Sequence, residues 1–74
     1  MTKKEMRATI DSDILFMMEQ INHCIENGFY YSVHDYCLEI RGMLWTANSL
    51  GLLKNEEWRI ANRMMIHLEY HPHD

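Results

Sequence analysis

The last eight residues, His67-Leu68-Glu69-Tyr70-His71-Pro72-His73-Asp74, concentrate side chains that bind borderline divalent metals. His67 and His71 lie four apart, so on a helix they share a face and can chelate Zn, Ni or Cu, with His73 or Asp74 completing the shell. The run lacks the His-Glu-x-x-His pattern of a zinc protease and has no cysteine nearby. Chain ends also fray, so the plainer expectation for 71–74 is a flexible, solvated tail without metal, and His67, His71 and His73 are the lesser metal candidates.

The chain has two cysteines, Cys24 and Cys37. Opposed on adjacent helices, they could meet the distance limits of a disulfide and act as a redox switch. In a reducing compartment, buried free thiols are more often small hydrophobes, and that is the reading favoured here. His23 is a poor activating base for Cys24, because neighbours on a helix point about 100° apart. Ser32, His34 and Asp35 supply the residue types of a hydrolytic triad, yet they sit where a helix should open. Capping accounts for Ser32 and Asp35 there, and a triad needs three side chains converging on one point. No phosphate-cradling glycine loop, kinase signature or cofactor motif is present, and no enzymatic activity is expected.

Two surfaces remain as contact candidates. Arg59, Asn62, Arg63 and His67 fall on the polar side of a C-terminal helix and could touch phosphate or an acidic partner. Phe29, Tyr30 and Tyr31 are consecutive rings that cannot all point inward, and tyrosine gives large contact area with few rotors. With Trp45 and Phe16, they are the predicted protein-contact residues.

Elements that would position these groups follow from caps and periodicity. Thr2 with Glu5 forms a T-x-x-E capping box, and Asn27-Gly28 is a helix stop, which predicts a first helix over 3–27. Ser32 is the expected cap of a second helix over 33–50, with Asp35 in its first turn and Gly51 just past its end. Asn55 is the expected cap of a third over 56–70, with Glu56 and Glu57 in its first turn and Pro72 beyond its end.

Ile10, Ile14, Met17, Ile21, Cys24 and Gly28 recur at alternating steps of four and three, as do Val33, Cys37, Ile40, Leu44, Ala47 and Gly51. That is the seam of two helices packed at a shallow angle. Folding at Tyr30 and Tyr31 sets Cys24 against Cys37 and Ile21 against Ile40, in agreement with the caps. A second stripe, Leu15, Met18 and Ile25 with Tyr36, Met43 and Leu50, needs a cover, and Trp58, Ala61, Met65 and Leu68 offer one apolar face for it. Phe16, Leu38, Trp45, Ile60 and Ile66 are left over. The fold expected is all-α: one domain over 1–74, an antiparallel helical hairpin plus a third C-terminal helix, pairing as a dimeric bundle.

The opening Met1-Thr2-Lys3-Lys4-Glu5, set at the head of a helical hairpin, resembles the Rop family of plasmid copy-control proteins, helical-hairpin dimers that bind paired RNA loops. The acidic stretch from Asp11 to Glu39 departs from the charge an RNA-binding first helix would need, and no residue role carries over.

Composition points the same way. At 74 residues the chain can hide only roughly 60% of its unfolded surface. Yet 47% of its residues are hydrophobic, so self-association or a partner surface is the natural outlet for the excess. Net charge is −4, and positions 11–39 hold Asp11, Asp13, Glu19, Glu26, Asp35 and Glu39 with no Lys or Arg. That field opposes phosphate backbones and favours basic partners. The N-terminus does not read as a signal peptide and no apolar run reaches the ~18 residues of a membrane span, so a cytoplasmic setting is expected. The functional expectation is a small non-enzymatic protein-interaction module, an adaptor, regulator or inhibitor of the kind mobile elements encode, forming a homodimer. The alternative is a nucleic-acid-binding regulator using the third helix with Lys3, Lys4 and Arg7.

Overall fold

A computed structural model describes residues 1–72, and among these it contains three helices and no strand: α1 (Lys3–Glu26), α2 (Tyr30–Ser49) and α3 (Asn55–Tyr70). α1 opens on the expected capping box. The Glu5 amide donates to Thr2 Oγ1 at 3.2 Å, and the Thr2 amide donates to Glu5 Oε1 at 3.3 Å.

Both long helices stop by the same device. Gly28 and Gly51 each have φ of 74°, the left-handed region that glycine enters without a Cβ penalty. Past α1, the Phe29 amide reaches back to the Cys24 carbonyl at 2.8 Å and the Gly28 amide to Ile25 at 3.2 Å. Past α2, Leu52 bonds Ala47 at 2.8 Å and Gly51 bonds Asn48 at 3.1 Å. These paired bonds satisfy carbonyls that a helix end otherwise leaves open.

Two caps differ from those the sequence suggests. α2 begins at Tyr30 with Phe29 in the cap position, so Ser32 lies inside the helix and Asp35 one turn further along than expected. The cause is the tight turn at Gly28, which reverses the chain so quickly that no bridging segment is needed before helix resumes. At the third helix Lys54 holds the extended cap position, and its amide donates to the Glu57 carboxylate at 3.4 Å. Asn55 is engaged elsewhere: its side-chain oxygen accepts from Asn48 Nδ2 at 2.8 Å, and the same Asn48 amide donates to the Leu53 carbonyl at 3.1 Å. Asn48 thereby fixes the α2–α3 linker.

The core consists of Ile21 and Cys24 from α1, Val33, Cys37, Ile40, Leu44 and Ala47 from α2, Leu52 and Leu53 from the linker, and Met65 from α3. All the α1 and α2 members fall on the predicted seam. Ile10, Ile14 and Met17, nearer the start of α1, are half-buried. α2 is the central element, touching both other helices, whereas no Cα of α1 comes within 8 Å of one in α3.

α3 therefore does not cover the second stripe as expected. It lies along the opposite flank of α2, where Arg41 Nε donates to Asn62 Oδ1 at 3.2 Å and the Trp45 and Trp58 rings meet edge-on at 5.5 Å. Leu15 stays 62% exposed and Leu50 is exposed too, while Met18, Ile25, Tyr36 and Met43 are half-buried. The gap between α1 and α3 is spanned at one end by Arg7, whose Nη1 donates to the Leu52 carbonyl at 2.9 Å and whose Nη2 donates to Glu57 at 3.3 Å. Among the described residues, no helix is long and apolar enough to cross a membrane.

Candidate functional site

The α2–α3 interface carries the molecule's concentrated chemistry. Residues 34 and 41 are seven apart, two helical turns, so His34 and Arg41 share the flank of α2 that faces α3. On α3, Glu69 follows the core residue Met65 by one turn and is drawn inward with it. The Glu69 side chain is only 2% exposed, and it is the buried charged residue among those described. Its Oε1 accepts from Arg41 Nη1 at 3.3 Å. Its Oε2 faces His34 Nδ1 at 3.8 Å, beyond hydrogen-bond reach. A buried carboxylate is costly without compensation, so Arg41 is what allows Glu69 to stay there.

Cys37, on the neighbouring seam of α2, feels the same charges: its thiol pKa is pushed up to about 11 by burial first and by the Glu69 charge second, with Arg41 opposing. It is protonated at neutral pH and so a weak nucleophile. Both cysteines are free and buried. Beside Glu69, a recess of about 330 Å³ opens between the start of α2 and the end of α3, lined by Tyr30, Tyr31, His34, Glu69 and Pro72.

Other residues singled out in the sequence distribute differently. His34 lines that recess, whereas Ser32 and Asp35 line a separate one with Tyr36 and Glu39, so the three do not converge. The His67 and His71 rings stack at a centroid separation of 4.8 Å. His73 and Asp74 lie outside the described residues, and among those described no three His, Cys, Asp or Glu side chains are grouped to hold a metal ion. Arg59 and Arg63 are exposed, but Asn62 is turned toward α2 and bonded to Arg41. Arg7 is engaged by Asp11, Glu57 and the linker, which leaves Lys3 and Lys4 as the exposed cations of that end. Phe29, Tyr30, Tyr31, Trp45 and Phe16 are all exposed, though not as one patch. The first three cap the hairpin tip, Trp45 lies against Trp58, and Phe16 points about 150° away from the seam defined by Ile14 and Ile21.

Neither Arg41 nor the role of Glu69 is marked by motif or periodicity, but two weaker signals point to them. Arg41 is the one Lys or Arg between Arg7 and Lys54, and Glu69 sits in the last turn of α3, where the helix dipole disfavours a carboxylate.

A further feature is the cleft left between α1 and α3. Its floor holds an apolar recess of about 110 Å³ lined by Ile14, Ile40, Leu44, Ala61, Met64 and Met65. Leu15 and Ile60 stand exposed on the two helices that flank it.

No protein-family model matches the chain, and no curated protein and no solved structure is significantly similar to it.

Proposed function

We propose that this protein is a small non-enzymatic interaction module, an adaptor, regulator or inhibitor that works by docking onto another protein chain. The observation that carries the reading is the α1–α3 cleft. Two helices that flank a common third helix stay more than 8 Å apart at every Cα, and the floor between them is an apolar recess lined by Ile14, Ile40, Leu44, Ala61, Met64 and Met65, of which Met64 is exposed. The apolar stripe of an amphipathic helix, with side chains one turn apart, fits such a groove. A second copy of the chain can supply that helix, which makes a homodimer the simplest complex. Exposed apolar residues scattered singly need no explanation, but a continuous apolar recess between two helices does.

The test is sedimentation velocity on the wild-type chain and on Leu15→Glu and Met64→Glu, with chemical cross-linking in the host to capture partners. The reading expects a complex, with itself or with a defined protein, that both substitutions weaken while helical content is retained. A strict monomer that captures no protein, or a complex indifferent to both substitutions, would overturn it.

A further inference from the structure

Independently of the cleft, we propose that the recess between the start of α2 and the end of α3 is a binding site for an organic cation, a guanidinium or alkylammonium group that docks on the free edge of the Glu69 carboxylate between tyrosine walls.

The geometry of Glu69 comes first. Arg41 approaches Oε1 through one N–H at 3.3 Å, a long contact for a charge-assisted bond, and Arg41 is not among the residues that line the recess. Oε2 lies on the other side, where His34 Nδ1 at 3.8 Å is too far to donate. A side chain that is 2% exposed and lines the recess therefore has one carboxylate oxygen without a hydrogen-bond donor in range among the described residues. An incoming N–H donor would complete it.

The walls select for charge type. Tyr30 and Tyr31 line the recess, and Tyr31 is 93% exposed, so its ring is available to pack against a ligand. Aromatic faces attract guanidinium and ammonium groups through the ring quadrupole. The helix ends largely cancel here, because the negative end of α3 meets the positive start of α2. Among the described residues that line the cavity, Glu69 is the carboxylate. An anion would face it directly, and a purely apolar ligand would desolvate it without a partner. The surrounding field agrees, since positions 11–39 contain six acids and no Lys or Arg. At about 330 Å³ the recess is of a size for one lysine or arginine side chain or a small free amine.

The experiment titrates the full chain, followed by its amide and aromatic proton NMR spectra, with n-butylammonium, with N-acetylarginine methylamide, and with n-butanol as the uncharged control. The site predicts saturable shifts at Tyr31 and His34 with a cation in the millimolar range and none with n-butanol. Glu69→Gln, which also removes a carboxylate from an unfavourable helix end, should weaken binding about tenfold or more. Tyr31→Ala, at a fully exposed ring, should weaken it several-fold with the fold unchanged and serves as the deciding variant if Glu69→Gln disturbs the α2–α3 interface. Saturation by n-butylammonium identifies a free amine as sufficient. Saturation by the arginine derivative alone identifies a partner's side chain as the source. No saturable shift with either cation, equal binding of n-butanol, or shifts of unchanged strength in Tyr31→Ala and Glu69→Gln would overturn the assignment.

Discussion

Arg41 and Glu69, 28 positions apart in the chain, join α2 to α3 through a 3.3 Å contact between Nη1 and Oε1. The contact is asymmetric in exposure: the carboxylate side chain is 2% exposed and the guanidinium side chain 32%. Removing the cation leaves a buried charge unpaired, whereas removing both groups leaves none. Arg41→Ala is therefore expected to cost about 2 kcal/mol in urea unfolding, and Arg41→Met combined with Glu69→Leu clearly less. A double variant as unstable as Arg41→Ala would show that the pair is valued for shape and not for charge.

The three glycines give opposite signs. Gly28 and Gly51 hold φ of 74°, so alanine at either should cost roughly 1–2 kcal/mol. At Gly28 an added Cβ meets nothing within 4 Å, so that cost is purely conformational. At Gly51 the nearest atom is Lys3 Nζ at 3.3 Å, the flexible end of a side chain that can move aside. Gly42 lies inside α2 with no neighbour within 4 Å of its would-be Cβ, and Gly42→Ala should stabilise by about 0.5–1 kcal/mol. Thermal melts of the three variants check the order, and a destabilised Gly42→Ala would contradict the open space beside that helix.

These glycines also separate what local sequence specifies from what it does not. Local signals were legible: the Thr2–Glu5 box, the two glycine stops and the three–four spacing through Ile21, Cys37 and Ile40 each depend on residues within a turn or two. The missing features are long-range. Ser32 and Asn55 are good caps by type, but the tight reversal at Gly28 and the Asn48–Asn55 bond reassigned both. Which flank of α2 receives α3 is set by Arg41 meeting Asn62 and Glu69 and by Trp45 meeting Trp58. Periodicity reports that a helix has an apolar face, and it is silent on which neighbour that face chooses.

Cys37 provides a pH test. Its native thiol pKa of about 11 lies above the ordinary value of 9.0, chiefly because burial disfavours the thiolate. The unfolded chain then releases this proton before the folded one does, so stability falls as pH rises from about 9 to 11. Tyrosine and lysine ionisation overlap that window, so the readout is the difference between wild type and Cys37→Ala. The variant should lose less stability than wild type between those limits. Equal losses would remove Cys37 from the account. At neutral pH, alkylation of either buried thiol should be slow in the folded chain and fast in urea.

Arg7 controls how α1 is held. With Asp11 at 3.0 Å along its own helix, Leu52 at 2.9 Å and Glu57 at 3.3 Å across the gap, it is the side chain that bonds the start of α1 to the linker and to α3. The side chain is 35% exposed, so its ion pairs are screened and contribute modestly. The bond to the Leu52 carbonyl is part-buried and matters more. Arg7→Ala should lower global stability by only about 1 kcal/mol, yet it should raise amide hydrogen exchange selectively in the first turns of α1. There Met6 and Ile10 are only half-buried, while the Ile21–Cys24 end is closed by the hairpin turn. Arg7→Lys keeps the charge but not the fork that reaches Asp11, Leu52 and Glu57 together, so it should behave more like alanine than like wild type. Exchange that rises uniformly along α1, or full rescue by lysine, would mean that the helix is held by its apolar seam alone.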